Sequence, residues 1–297
     1  MAGTRISTQE LTPWVRGRER WPGASGARLE RPSFTFRRRG PGAILDDAIE
    51  QLVRNFGACV GVATLVWLPF ELIRELIVGT QDLGPLLAYG LGQTVPEAFS
   101  MVLVSAIVGA RLLGRELTPT SFALLSLHTL PAVLLLVAPA LILTNVSICA
   151  CFAPFFLLMS GVILLPPILA LESLPGRRGP FGILHSLRRA YELATDWSAL
   201  GRFLAWFFVV RLIFGSLLGS VVGAWSYPQV RERVADIVGT RGDGLQVLSV
   251  LVGAVLSGLT AALVASAATV HYVDLRVRKE GLDLELALRD RDPEVTA

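Results

Sequence analysis

Between Glu116 and Glu172 the chain runs for fifty-five residues without one Asp, Glu, Lys or Arg. A water-exposed surface cannot be assembled from such a stretch. Lipid-facing helices can, because each helix satisfies its own backbone groups inside hydrocarbon. A single helix crosses a hydrocarbon core of about 30 Å in roughly 20 residues, so the chain must turn within this block. Asn145-Val-Ser147 is the polar cluster at which it can do so. The remaining composition agrees: 17% of residues are charged, against about 25% in soluble domains, and mean hydropathy is +0.58. The expected class is an all-α integral membrane bundle.

Taken in order, residues 1–40 are rich in Arg, Gly, Pro and Ser, show no periodicity, and read as a disordered basic cytoplasmic tail. No apolar signal-peptide segment follows the early arginines. Those arginines are scattered and build no nucleic-acid motif, so the expected partner is the anionic lipid surface. Residues 41–56 form an interfacial amphipathic helix, with Ile44, Leu45, Ala48, Ile49, Leu52, Val53 and Phe56 opposite Asp46, Asp47, Glu50 and Arg54.

A membrane domain follows over residues 57–272, with six transmembrane helices expected near 57–76, 95–113, 122–143, 151–171, 200–224 and 245–272. Pro69 kinks the first, and its Gly57 and Gly61 form a GxxxG for close helix approach. A Gly-rich linker over 80–94 joins it to the second. A second amphipathic helix follows Glu172, with Phe181, Leu184, Leu187, Tyr191 and Ala194 opposite Arg188, Arg189 and Glu192. Residues 273–297 are a charged cytoplasmic tail. Span five carries Gly215, Gly219 and Gly223, and span six carries Ser249, Gly253, Ser257, Ala261 and Ala265, so close packing of five on six is expected.

Six spans put both ends of the chain on one side. That side would hold 22 of the 27 basic residues and the other side four, or 12 against four counted from Gly57 onward. The positive-inside rule therefore places both termini in the cytoplasm and the protein in the cell (inner) membrane.

Little in the chain promises catalysis. His128, His185 and His271 lie in separate segments without His-x-x-x-His or Glu-x-x-His spacing, and Cys59, Cys149 and Cys151 make no zinc or redox pattern. No phosphate-binding Gly-rich Lys-Ser/Thr loop and no Gly-x-Ser-x-Gly elbow occur. No enzyme activity, cofactor or metal is expected. An active site at the cytoplasmic interface would have to use Glu172, His185 and Arg188. The costly residue is Arg211, near the middle of span five, where a charge costs from about 2.5 kcal/mol upward. Glu71 and Glu75 of span one, and Glu97 at the start of span two, are its candidate partners. The pair either locks spans one and five together or lines an anion site. A second candidate is a cytoplasmic docking surface built from Glu172, Arg188, Arg189, Asp274, Arg276, Arg278, Lys279 and Glu280. The tail's interspersed Leu275, Val277, Leu282, Leu284 and Leu286 imply that it docks, either on the bundle's own loops or on a partner protein.

The stretch His271-Tyr-Val-Asp-Leu-Arg-Val-Arg-Lys-Glu-Gly-Leu-Asp-Leu-Glu-Leu286 resembles the end of the bacterial glycerophosphoryl diester phosphodiesterase membrane-domain family. Ile44-Leu-Asp-Asp-Ala-Ile-Glu-Gln-Leu-Val-Arg-Asn-Phe-Gly57 is similar to that family's first helix, and Leu171-Glu172 with 179–193 is similar to its acidic loop and following helix. The resemblance implies a polytopic fold of about six spans and carries no catalytic residues. The expected function is a non-enzymatic membrane scaffold or accessory subunit. The alternative is a small-solute or anion transporter or channel, with prolines breaking helices around a site near Arg211.

Overall fold

A computed structural model describes residues 39–78, 83–113, 119–143, 152–172, 180–210, 227–239 and 243–282, with isolated positions between 211 and 226. Regular structure among the described residues is helical throughout. Four helices are long and apolar enough to cross a membrane: 56–77, 89–112, 125–143 and 244–280. Shorter apolar helical stretches, the first interrupted at 163–164, occupy 158–172 and 197–209.

Helix α1 (Pro41–Arg54) opens with Pro41 at its first position, where a missing N–H costs nothing. Its buried face is Ile44, Ala48, Gln51 and Leu52, at helical spacing. That stripe is narrower than the sequence implied, because Val53 and Phe56 stay exposed. Asn55 closes the helix, and α2 (Phe56–Val78) starts at once with Pro69 inside it.

The linker expected over 80–94 is largely helix: α3 (Leu83–Gly92) leads almost directly into α4 (Thr94–Leu112). The glycines there are interspersed with Leu and Ala, strong helix formers that offset a glycine penalty of about 1 kcal/mol each. Helix α4 is the axis of the molecule. Every residue from Ser100 to Ala110 is buried, and α2, the helix over Leu165–Glu172 and the last helix surround it.

Helix α5 (Pro119–Ala132) continues through a π turn over Val133–Val137. The wide turn lies between Pro131 and Pro139, which donate no backbone hydrogen bond and so disturb the regular ladder. The fourth expected span is not one helix. It divides into α6 (Phe152–Val162) and α7 (Leu165–Glu172), with the break at Ile163-Leu164. Pro166 and Pro167 explain it, since with no N–H they leave the carbonyls of Val162 and Ile163 one turn back without donors. The turn at Asn145-Val-Ser147 lies outside the described residues.

After α8 (Pro180–Ala194), Asp196 caps α9 (Trp197–Val209), its carboxylate accepting from the Ser198 hydroxyl at 2.5 Å and the Ser198 N–H at 3.2 Å. These bonds, the hydroxyl first, hold the exposed Asp196 carboxyl below its ordinary 3.8. A lowered folded value stabilises the helix start above the ordinary pKa and is lost as pH falls through the lowered one. Ser198 amide exchange, corrected for its intrinsic rate, should therefore quicken on acidification below 3.8. Asp196→Asn, which keeps the acceptor but not the titration, should abolish that dependence; an unchanged profile would show that the cap is not the cause.

An amphipathic α10 (Pro228–Val238) precedes α11 (Asp243–Glu280), whose 38 residues span about 57 Å. That is nearly twice a hydrocarbon core. The sequence placed the end of the regular segment near Tyr272. The helix in fact continues two turns further and stops where Gly281 adopts φ 65°, a left-handed conformation that ends helices.

Helix α11 runs antiparallel to α2 in close contact. Ser249 donates to Glu75 at 3.3 Å and Ser257 to Glu71 at 3.0 Å. A Cβ on Gly258 would lie 2.7 Å from the Thr64 backbone nitrogen. The small-residue stripe of α11 therefore receives the first long helix, where the sequence led us to expect the fifth span. Gly215, Gly219 and Gly223 lie outside the described residues. Gly57 and Gly61, expected to bring helices together, face open space.

Candidate functional site

Two polar constellations stand out in this apolar bundle. The first lies where α2 meets α11. Glu71 is 2% exposed and sits about 22 Å along α2 from Phe56. One carboxylate oxygen accepts from Ser257, and the other is 3.0 Å from Arg74 Nε. Arg74 also reaches over Gly253, where an added Cβ would come 3.1 Å from its Nη2. Glu71, Arg74 and Glu75 thus meet a Ser-Gly-Ser row that has no side chains to obstruct them. Arg211, the expected partner of Glu71 and Glu75, lies outside the described residues.

The second constellation gathers at the other end of α11. Residues 271, 274 and 278 share one face of that helix, and 272, 276 and 280 share the next. Asp274 is fully buried. It accepts from the Arg39 N–H at 2.8 Å and from Arg278 Nε at 2.8 Å, and Arg202 Nε of α9 stands 3.6 Å away. Arg278 also donates to the Arg39 carbonyl at 2.6 Å, while the Arg39 side chain pairs with Asp47 of α1. One residue ahead of the first helix is thereby tied through backbone and side chain to the end of the last.

On the adjacent face, Glu172 at the end of α7 accepts from the Tyr272 hydroxyl and pairs with Arg189 of α8 at 3.4 Å. Arg189 also pairs with Glu280, which accepts from Arg276 at 2.8 Å. The Arg276 guanidinium lies 6.0 Å from the Tyr272 ring centre, within cation–π range. Burial alone would lower the Arg189 pKa; Glu172 and Glu280 outweigh it and raise it. Arg189 stays charged.

Of the docking residues read from the sequence, this end of the bundle joins Glu172, Arg189, Arg276 and Glu280 into one cluster and Asp274 and Arg278 into a second, on adjacent faces of α11. Arg189 was expected on the solvent face beside Arg188. It instead turns inward, because two carboxylates offered by α7 and α11 outweigh solvation. Arg188 keeps to solvent with Glu192, and Lys279 donates to the Glu192 carbonyl at 3.1 Å. The tail therefore docks on its own bundle as far as Glu280, and residues 283–297 lie outside the described part. Sequence reading missed Arg39, Asp47 and Arg202 as members. Their sequence signal was a place near the start of a helix on the arginine-rich side for Arg39 and Arg202, and the polar face of the first amphipathic helix for Asp47.

Among the described residues no group of three His, Cys, Asp or Glu side chains is placed to hold a metal ion. By helix length and hydropathy, the molecule has the character of a multi-pass membrane protein. No protein family, curated protein or solved structure matches the chain. The likeness to the phosphodiesterase membrane-domain proteins therefore rests on the quoted residues alone.

Proposed function

We propose a non-enzymatic six-span protein of the cell membrane, with both termini cytoplasmic, that serves as a scaffold or accessory subunit. The observation that carries this reading is a pair of polar clusters at one end of the bundle, Arg39 with Asp274 on one face of α11 and Glu172, Arg189 and Glu280 on the next. Six crossings bring the N-terminal tail, the 173–196 segment and the C-terminal tail to the same face, and this is where the arginines concentrate. There the two clusters make a base on which a partner protein would dock. The family resemblance supports the same location.

Single-cysteine labelling tests the topology. Ala24→Cys, Gly176→Cys and Thr296→Cys should react with a membrane-impermeant maleimide only after permeabilisation, and Thr240→Cys in intact cells. Labelling of Gly176→Cys from outside would refute the six-span arrangement.

A further inference from the structure

Beside these clusters, α9 and α11 hold buried nitrogen groups that no ion pair uses well. Arg202 and Trp206 lie one turn apart on α9, and His271 and Asp274 face them from α11. The Trp206 and His271 rings are centred 5.9 Å apart, and Arg202 Nε is 3.6 Å from Asp274. Trp206 is 1% exposed and His271 2%. Arg202 Nε, Trp206 Nε1 and His271 Nδ1 are all buried without a hydrogen-bond partner in the protein. Leaving one such group unsatisfied costs about 1–3 kcal/mol. Three on two facing helices mark a place that calls for a partner rich in acceptor oxygens.

The charges at this end point the same way. Five guanidinium groups (Arg39, Arg189, Arg202, Arg276 and Arg278) face four carboxylates (Asp47, Glu172, Asp274 and Glu280). Asp274 is already held at 2.8 Å by Arg278 and by the Arg39 N–H, so Arg202 is the cation with the loosest pairing. Asp196 at the start of α9 faces Arg202 as well, and Arg202 remains the loosely paired cation beside two rings whose nitrogens lack hydrogen-bond partners.

We propose that the meeting of α9 and α11 binds one phosphate group, through Arg202, Trp206 and His271. A tetrahedral phosphate offers acceptors in several directions, which suits donors arriving from two helices; a carboxylate offers two oxygens in one plane. The source is either a phospholipid headgroup at the membrane boundary or free phosphate, and basic pockets between membrane helices are known to take the former.

The test uses the full chain in detergent, titrated separately with phosphatidylglycerol, phosphatidylcholine and inorganic phosphate, with melting temperature and native mass spectrometry as readouts. Stabilisation and retained lipid with phosphatidylglycerol alone identify an anionic headgroup. Stabilisation by both lipids identifies any phosphodiester, and by inorganic phosphate, the free ion. In each case Trp206→Phe, which removes a single donor, should weaken binding about tenfold. Arg202→Gln should abolish it, and the exposed Arg188→Gln should leave it unchanged. No response to any of the three, or a response that survives in Trp206→Phe, overturns the proposal. If Arg202→Gln does not fold, Trp206→Phe decides alone. Neither result bears on the number of spans.

Discussion

Asp274→Ala is expected to destabilise the protein by about 3–5 kcal/mol, the cost of removing one member of a buried ion pair. The residue is fully buried, and its loss leaves Arg278, Arg202 and the Arg39 N–H without their shared acceptor. The Arg39 tether to the last helix would lose its N–H bond at the same time and keep the Arg278 bond to the Arg39 carbonyl. Thermal unfolding in detergent, followed by loss of the monodisperse peak on gel filtration, measures the effect. Truncation after Leu282 should leave that midpoint where it is, because the clusters end at Glu280. Truncation after Val273 should behave like the alanine variant or worse. Equal midpoints for Asp274→Ala and the solvent-exposed Arg188→Ala would mean that the Asp274 cluster contributes nothing.

Gly258→Leu should cost about 3 kcal/mol, the upper end for overpacking, since what it meets is backbone. A Cβ there already falls 2.7 Å from the Thr64 nitrogen and 3.0 Å from its Cα. Main chain cannot rotate aside as a leucine tip can, so α2 and α11 must separate. The adjacent Ser257–Glu71 bond would be strained with them. Gly61→Leu projects into open space on α2 and is expected to change stability by about 0.5 kcal/mol or less. The comparison separates close packing from the mere presence of a GxxxG pattern. Similar melting points for the two variants would argue that α2 and α11 do not pack as described.

The contrast between these glycines shows what a linear pattern can and cannot carry. Gly57-x-x-x-Gly61 has the spacing of a packing motif and touches nothing, whereas Gly258 lies outside the four-residue stripe and comes up against the backbone of Thr64. Spacing tells which residues share a face, but which helix covers that face depends on how the whole bundle folds. The same holds for Arg189. Its helical position beside Arg188 reads as solvated, and it turns inward because Glu172 and Glu280 come from helices far along the chain.

Hydropathy and periodicity alone determined the all-α membrane class, the first amphipathic helix, α4 to within a residue or two and the start of α11. These depend on local transfer free energy and on the period of the helix, and both are properties of consecutive residues. The broken fourth span was also written locally, in Pro166 and Pro167. Only the tertiary structure decided that α2 lies on the Ser-Gly-Ser row of α11, that α4 is the axis, and that Arg39 is bound to Asp274 across 235 positions of sequence. Buried charges need partners that outweigh their desolvation, and those partners are brought into place by the folded chain, not by their neighbours in sequence.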